Sequence, residues 1–275
     1  MKRTNAWSGR KHWPFSTRLA LCCIPGLALF ALFWIYPFGV TIYYSFVESA
    51  FRHNFAGFKN YAFVWNNAYY RTAMGNSARF CLTAVPAAWT LAFVFALCLE
   101  RTNEKGAAFL GFFLLPLAVP SSATVAIWTL LFPGEKNAFF ALLSVFLWKN
   151  TGFAALLMRV GLSHVPVSTR EAAAVEGAGA VRSMFQIVLP QMAGQSFFTV
   201  LLLLSWSMKV FKESYALYGA YPPDGVYMVQ NYINNQFTKM RYPNMTAASM
   251  GTAVIIAFLT AIWTGREKRE EKGWL

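Results

Sequence analysis

The residues whose types and spacing suggest chemistry lie between positions 163 and 190, in the run SHVPVSTREAAAVEGAGAVRSMFQIVLP. Two carboxylates, Glu171 and Glu176, flank a run of alanines, and they stand out because the whole chain has only 11 acidic residues. Carboxylates form ion pairs and cap the N termini of helices. Alanines favour helix and leave a thin, smooth surface. This pattern predicts a short helical segment rather than a catalytic centre.

Local signals predict how this segment folds. Ser168 and Glu171 have the spacing of a capping box, which predicts a short helix beginning there. The cap alone would explain Glu171, and that role is compatible with a contact to a partner. Gly177 and Gly179 then predict a sharp turn, and a second short helix should lead to Pro190, which opens the next long helix. One face of the second helix should be apolar, through Val181, Met184, Phe185, Val188 and Leu189.

The sequence offers no catalytic or metal-binding constellation, and we expect this chain to bind no metal or cofactor of its own. No HExxH or Ser/His/Asp arrangement occurs, and without a P-loop the chain should not hydrolyse ATP. The cysteines lie within apolar blocks without a CxxC pair, which argues against a zinc site or a disulfide framework. The residues concerned are His12, His53, His164, Cys22, Cys23, Cys81 and Cys98.

Apolar helices must position these residues, because 57% of the 275 residues are hydrophobic, 17% are aromatic and only 13% are charged. This composition excludes disorder and argues against an ordinary soluble domain. Several apolar blocks reach the length of ~20 residues that crosses a bilayer. We therefore predict an all-α polytopic membrane protein, with Pro37 kinking its first span. The six predicted transmembrane helices lie at residues 19–46, 74–99, 106–132, 138–162, 191–206 and 245–263.

The net charge of +13 predicts membrane topology rather than nucleic-acid binding, because the basic residues sit mainly in tails and short loops. The larger share, including the acid-free tail 1–18, falls on the side of the two termini, which the positive-inside rule makes cytoplasmic. Residues 163–190 are then cytoplasmic, and residues 47–73 and 207–244 are extracytoplasmic. For the outer stretch 227–237, contact with another protein and plain solvation both stay open.

Polar side chains inside apolar blocks form a second group of candidates, since burying them in lipid is costly. Lys149 lies near the middle of the fourth block, beside Trp148 and Asn150. Either this group lines a translocation path, or the span begins later and Lys149 snorkels to the outer interface. Lys209 and Glu213 are expected to pair with each other, and no acid is expected in the core of a span. The candidate path residues are Asn76, Trp148, Lys149, Asn150, Ser205 and Trp206.

The segment 163–190 matches the pattern E-A-A, three residues, G, nine residues, I-x-L-P, between two predicted spans. On these residues the chain resembles the permease subunits of binding-protein-dependent ABC importers, whose EAA loop has this pattern. Such permeases usually have Asp where Glu176 stands, and a large aromatic is common at Met184, where this chain has Phe185 one residue later. The matching residues are Glu171, Ala172, Ala173, Gly177, Ile187, Leu189 and Pro190.

Weaker matches extend over most of the chain, and they resemble carbohydrate-uptake permeases of the maltose and multiple-sugar type. Examples are Tyr36-Pro37, Leu115-Pro116 and the run from Trp148 to Phe153. The resemblance implies a type I importer architecture, also called MetI-like. Its parts would be a tail at 1–18, the first helix and outer loop at 19–73, a transmembrane core at 74–264 and a tail at 265–275.

The resemblance also implies a function, namely one permease subunit of an ATP-driven importer of a sugar or oligosaccharide in a bacterial or archaeal cytoplasmic membrane. The EAA loop, with Glu176, would be the coupling helix that docks on one of two cytoplasmic ATPase subunits, which bind ATP and Mg²⁺. A second, different permease subunit, an extracytoplasmic solute-binding protein and membrane lipid are the other implied partners. Permeases for polyamines, phosphate or other anions remain alternatives, as do a secondary transporter and, last, a membrane enzyme.

Overall fold

The computed structural model describes residues 15–49, 51–100 and 105–273, and within these ranges the chain is almost wholly helical. One isolated antiparallel bridge, between Val47 and Phe55, is the only strand-like pairing in the described residues. The all-α prediction is therefore confirmed. Most of the basic tail 1–18, the loop residue Arg101 and the side chains of the tail 265–275 lie outside the described residues.

The helices follow one another closely along the chain, with two π-helical turns at Ala31–Ile35 and Met184–Val188 and a 3₁₀ turn at Asp224–Val226. In chain order the α-helices are α1 (Phe15–Phe30), α2 (Tyr36–Ser45), α3 (Lys59–Asn66), α4 (Ala68–Glu100), α5 (Lys105–Ala118), α6 (Ser121–Leu131), α7 (Ala138–Ser163), α8 (Val167–Val175), α9 (Ala180–Ser183), α10 (Leu189–Gln191), α11 (Ala193–Met208), α12 (Phe211–Tyr218), α13 (Val229–Thr238) and α14 (Tyr242–Gly273).

The chain divides into two compact units, Met1–Val64 with Met240–Leu275, and Trp65–Lys239. In the first unit, α2 and α14 contact each other. Pro37 lies just after the first π-helical turn. The disruption expected at this proline therefore takes the form of a wider turn, which accommodates its ring and its missing N–H.

Residues 47–73, predicted as an outer loop, are largely helical in the structure, because they include α3 and the start of α4. Asn67 explains why α4 begins at Ala68 and not at 74. Its Oδ1 accepts hydrogen bonds from the backbone N–H groups of Tyr69 at 3.0 Å and Tyr70 at 3.3 Å. An asparagine in this position is a strong N-cap, so the sequence carried a start signal for this helix that the hydropathy pattern concealed.

The second unit is built around the packing of α4 on α7. Four alanines recur every four residues on α4 and are fully buried, so the two helices approach closely along a smooth stripe. Larger side chains from both helices fill the space beside it, including Phe80, Leu142, Met158 and Leu162, each 2% exposed or less. The alanines of the stripe are Ala84, Ala88, Ala92 and Ala96.

The third predicted span, 106–132, is not one straight helix. It consists of α5 and α6, whose axes differ by 96° across the break at residues 119–120. Pro120 has φ of −59° and ψ of 145°, and so starts α6 in an extended conformation. The cause is that proline fixes φ and cannot donate an N–H to a continuing helix.

Among the described residues, four helical stretches are long and apolar enough to cross a membrane, and the bent pair α5–α6 makes a fifth if it crosses as one broken span. These five correspond to the first five predicted spans. The sixth predicted span, 245–263, lies within α14, whose side chains are described only in part. The four stretches are Cys23–Ser45, Ala68–Glu100, Ala138–Ser163 and Ala193–Tyr218.

Replacement of Gly152 by alanine should destabilise the protein. A Cβ at this position of α7 would overlap the carbonyl oxygen of Phe113 on α5, and overpacking against a backbone typically costs about 1–3 kcal/mol. We expect Gly152→Ala to lower the melting temperature of the detergent-purified protein. Gly75→Ala is the matched control, because Gly75 is also helical and a Cβ added there would meet no atom within 4 Å. Equal melting temperatures for the two variants would contradict this packing.

Candidate functional site

Residues 167–190, called the elbow below, form two short helical pieces joined by a glycine turn. The first helix, α8, begins at Val167, and the preceding Pro166 has φ of −60° and ψ of 135°. No side chain caps this end, so the capping box predicted for Ser168 and Glu171 is wrong. Pro166 already holds the chain in the extended conformation that precedes a helix, which leaves Ser168 inside the first turn.

Backbone hydrogen bonds close the turn of the elbow. The N–H of Ala178 donates to the carbonyl of Ala173 at 2.9 Å, and the N–H of Gly177 donates to the carbonyl of Ala174 at 3.1 Å. This pair of bonds is the Schellman arrangement at a helix C terminus. Gly177 has φ of +82°, in the left-handed region that favours glycine. Gly179, with φ of −63°, is the N-cap residue of α9, so the predicted glycine turn is confirmed.

The second half of the elbow departs from the single apolar face that its sequence predicts. Val188 is buried, and Met184 and Leu189 pack against the core, whereas Val181 is 72% exposed and Phe185 is 66% exposed. The π-helical turn Met184–Val188 explains the difference. Such a turn holds an extra residue, so the side chains before and after it do not share one face.

The elbow therefore presents apolar and acidic groups together. Val181 and Phe185 line an open hollow of about 590 Å³, and Val175 nearby in sequence is 88% exposed. A mixed surface of this kind suits contact with another protein. Of the residues matched to the EAA pattern, Glu171, Ala172, Gly177 and Pro190 are exposed, Ile187 and Leu189 are half-buried and Ala173 is buried. Glu176, which departs from the pattern, is also exposed.

Arg170 ties the elbow to the ends of two long helices. Its Nη2 donates to Glu100 Oε1 at 2.8 Å and to the carbonyl of Leu162 at 3.2 Å. Glu100 is the last residue of α4, and Leu162 is in the last turn of α7. Helix C-terminal carbonyls favour a nearby cation, so one guanidinium joins three elements. The sequence pattern does not reveal this contact, because 70 residues separate Arg170 from Glu100.

A second candidate site is a cavity of about 250 Å³ within the Trp65–Lys239 unit. Helices α6, α7 and α12 meet there, and the end of α11 closes one side. We call it the central cavity. Its lining residues are Leu117, Ser121, Val145, Phe146, Lys149, Asn150, Trp206, Lys209, Val210, Lys212 and Glu213.

An ion pair forms the polar centre of this cavity. Lys149 Nζ lies 2.9 Å from Glu213 Oε1, and the two side chains are only 14% and 12% exposed. Ser121 completes a triangle, since its Oγ accepts from Lys149 Nζ at 3.3 Å and donates to Glu213 Oε1 at 3.1 Å. The expected pairing of Lys209 with Glu213 is therefore wrong, because the buried Lys149 reaches the carboxylate instead. Glu213 is itself buried, and it lies near the end of the apolar stretch Ala193–Tyr218, beyond the predicted span 191–206.

The structure brings only part of the predicted path set to this cavity. Asn150 and Trp206 line it with Lys149. Trp148 instead contacts Trp128, with ring centroids 5.0 Å apart, and Ser205 is exposed and bonded to the carbonyl of its own helix at Leu201.

Asn76 has a different place, against the segment that precedes α13. Its Nδ2 donates to the carbonyls of Asp224 and Tyr227, so it anchors this segment to α4. Burial raises the pKa of the Tyr227 phenol above its ordinary value, and the neutral hydroxyl accepts from Asn235 Nδ2 at 3.3 Å.

The stretch 227–237 is not a solvated loop, because much of it is packed inside the second unit. Asn231, Tyr232 and Asn235 are each 2% exposed or less. The backbone N–H of Val229 donates to Ser77 Oγ on α4 at 3.0 Å. Of the two alternatives for this stretch, plain solvation is therefore wrong for its buried face.

The described residues contain no group of three His, Cys, Asp or Glu side chains placed as metal ligands would be. The polar atoms of the central cavity are ammonium, carboxylate, hydroxyl and amide groups, which bind solutes by hydrogen bonds and charge.

Neutralising one partner of the Lys149–Glu213 pair should destabilise the protein, since it leaves the other charge unpaired in a nearly buried site. The cost of breaking such a pair is about 3 kcal/mol. We expect Glu213→Gln and Lys149→Gln each to lower the melting temperature of the purified protein. Adding the second substitution to either single variant should lower the melting temperature by a smaller amount than the first substitution did. Lys212→Gln, which removes an exposed charge of the same cavity, is the control. Additive effects of the two neutralisations would refute the pairing.

Several known proteins resemble this chain over most of its length. The sn-glycerol-3-phosphate transport system permease protein UgpA of Escherichia coli O6:K15:H31 is 24% identical over an alignment of 279 positions, which covers 92% of this chain and 93% of that protein. The protein of the same name from Salmonella typhi is 26% identical over an alignment of 212 positions, which covers 68% of this chain and 72% of that protein.

Two solved structures share the fold. One is a bacterial ABC transporter involved in the import of the acidic polysaccharide alginate, with a TM-score of 0.79, 16% identity and coverage of 92% of this chain and 96% of that chain. The other is the bacterial alginate ABC transporter in complex with an alginate pentasaccharide-bound periplasmic protein. Its TM-score is 0.73 at 15% identity, with 90% of this chain and 92% of that chain covered.

The family described as binding-protein-dependent transport system inner membrane component matches residues 80–265. That range contains both the elbow and the central cavity, and it is well over half of the chain. The chain therefore belongs to this family of multi-pass inner membrane proteins, and it is the permease subunit of an ABC importer rather than an enzyme.

Proposed function

We propose that this chain and a second, different permease subunit together form the translocation path of an ATP-driven importer of a sugar or oligosaccharide. The observation that carries the proposal is the elbow. It is an exposed turn, closed by backbone hydrogen bonds, that leads through Met192 into the long apolar helix α11 and is tied to the ends of two other helices. A device of this form can transfer a push from a soluble partner to helices in the membrane.

The partner for the elbow is an ATPase subunit on the cytoplasmic side. The exposed Glu171 and Glu176 can pair with basic groups of that subunit, while Val181 and Phe185 supply apolar contact area. Two such subunits bind ATP and Mg²⁺ between them, and their closure moves the elbow. An extracytoplasmic solute-binding protein delivers the substrate to the opposite face.

In the membrane the chain crosses six times and has both termini in the cytoplasm. The basic, acid-free tail 1–18 supports this orientation through the positive-inside rule. The continuous helix α14, which covers 245–263, supports the sixth crossing because its length exceeds that of a bilayer-spanning helix of ~20 residues.

The central cavity belongs to the translocation path, with Lys149, Asn150 and Trp206 in its wall. Hydroxyl, amide and aromatic groups are the ones that bind the hydroxyls and apolar faces of sugars. Import of sn-glycerol 3-phosphate and of alginate by the relatives supports a carbohydrate or related polyol as substrate over a polyamine. Inorganic phosphate or another small anion is the second candidate, favoured by the lysines of the cavity.

A secondary transporter is the competing mechanism that one observation favours, because Glu213 is a buried acid within an apolar stretch. Lys149 neutralises this carboxylate at 2.9 Å, however, and the elbow would have no use in a transporter without an ATPase. Dependence of uptake on ATP, measured in proteoliposomes that hold all subunits without an ion gradient, separates the two mechanisms.

Replacement of Gly177 by valine should uncouple the importer. A side chain at φ of +82° costs about 1–2 kcal/mol per residue, and 1.4 kcal/mol corresponds to about tenfold in affinity for a docking partner. We expect Gly177→Val to reduce co-purification of the ATPase subunit and transport-coupled ATP hydrolysis by about that factor.

Gly179→Val is the matched control for this experiment. Gly179 lies in the same turn, has an ordinary φ of −63° and has no atom within 4 Å of a Cβ. It should therefore keep near-normal recruitment of the ATPase. If Gly177→Val recruits the ATPase and supports coupled transport as well as Gly179→Val does, the coupling function of the elbow is wrong.

The contacts of Arg170 predict an order of effects on coupling. Arg170→Gln removes the bonds to both Glu100 and Leu162, whereas Glu100→Gln leaves a neutral acceptor at one of them. We expect the ratio of solute transported to ATP hydrolysed to fall more for Arg170→Gln than for Glu100→Gln. Arg182→Gln serves as the control, because Arg182 is exposed and bonds to Gln186 within the elbow. A fall as large in Arg182→Gln would show that the effect is not specific to this contact.

A further inference from the structure

The ionisable groups of the central cavity do not balance. Among the described residues, three lysines, Lys149, Lys209 and Lys212, line it together with a single acid, Glu213. Glu213 is engaged with Lys149 at 2.9 Å. Neither Lys209 nor Lys212 takes part in an ion pair with another described residue. The cavity therefore carries an excess of positive charge, held beside a pair that is already neutral.

This excess has a direct consequence for the solute. Clefts lined by charge of one sign concentrate ions of the opposite sign, and low-dielectric walls strengthen the effect. A cation is disfavoured at the same place. The hydroxyls of a neutral sugar can accept hydrogen bonds from the lysines, but a neutral sugar gains no attraction from their charge. A solute with a carboxylate or phosphate group is favoured, because it can pair with Lys209 or Lys212 and compete with Glu213 for Lys149.

The other lining groups indicate that the anion also carries hydroxyls. Asn150 Nδ2 is bonded to the carbonyl of Phe146 at 2.8 Å, which leaves the amide oxygen to accept from a solute hydroxyl. Ser121 Oγ sits between Lys149 and Glu213. Trp206 adds an aromatic surface to the wall. An ion with no apolar face would make little use of that surface.

We propose that the central cavity accepts an anionic carbohydrate, meaning a sugar or sugar-like polyol that bears a carboxylate or phosphate group. Lys209 and Lys212 attract the anion at the exposed side of the cavity, and the Lys149–Glu213 pair receives it at the buried side. The volume of about 250 Å³ is near the lower end of ligand pockets, ~300–1,000 Å³, so the cavity holds one sugar unit at a time. This inference rests on the proposed function, in which the cavity is part of the path.

The test uses the complete importer, with its permease partner, ATPase and binding protein, in proteoliposomes. Four labelled probes are offered with ATP: sn-glycerol 3-phosphate, a digalacturonate, maltose and spermidine. The proposal expects ATP-dependent uptake of one of the two anionic probes, and the phosphate and carboxylate arms tell which anionic group is accepted. The double variant Lys209→Gln/Lys212→Gln should then lower that uptake by about tenfold at subsaturating solute.

Two further variants separate charge from structure. Lys209→Arg/Lys212→Arg keeps both charges and should keep the uptake. Lys136→Gln removes an exposed lysine that does not line the cavity and should have no effect. Loss of uptake in the Arg variant to the same degree as in the Gln variant would overturn the role of charge.

The outcomes also distinguish this inference from the proposed function. ATP-dependent uptake of maltose, unchanged by Lys209→Gln/Lys212→Gln, would overturn the anionic substrate and leave the carbohydrate importer standing. ATP-dependent uptake of spermidine alone would overturn both the anionic substrate and the carbohydrate importer. Uptake of an anionic probe that does not change in the Gln variant would overturn the assignment to this cavity.

Discussion

The close packing of α4 on α7 is the interaction on which both candidate sites depend. The alanine stripe of α4 allows the two backbones to approach, and α7 in turn carries Lys149 at its middle and the Leu162 carbonyl at its end. Glu100, at the end of α4, reaches Arg170 only because the ends of these helices lie side by side. One smooth contact between two helices therefore fixes the polar centre of the cavity and the attachment of the elbow at the same time.

The placement of the acidic side chains depends on whether their surroundings are apolar or exposed to solvent. Acids are scarce, and two of them, Glu100 and Glu213, each pair with a base from a distant part of the chain. In an apolar surrounding an unpaired charge is costly, whereas a paired and hydrogen-bonded one is tolerated. The exposed acids Glu171 and Glu176 are the contrast, because on the surface of the elbow they stay available to a partner.

Sequence alone predicted the features that depend on neighbouring residues. Local conformational preferences predict the glycine turn at Gly177 and the disruption near Pro37. The apolar run predicts the fourth span, which is helix α7. The capping box at Ser168 failed because Pro166 supplied a competing local signal for the start of the helix. The pair Lys149–Glu213 was missed for another reason, since 64 residues separate its members and no local pattern connects them. The break at Pro120 was visible as a proline, but its 96° angle depends on packing.

The turn after α8 has a consequence for how such a protein recognises its own partner. Its shape is held by main-chain atoms, through the bonds from Ala178 and Gly177 to the carbonyls before them. The side chains at positions 171, 175 and 176 point into solvent and contribute nothing to that shape. Main-chain atoms therefore set the shape of the turn, whereas the exposed side chains are the groups that a partner would contact. If the elbow docks on an ATPase subunit as proposed, the outward side chains can be exchanged to suit a different subunit without changing the shape of the turn.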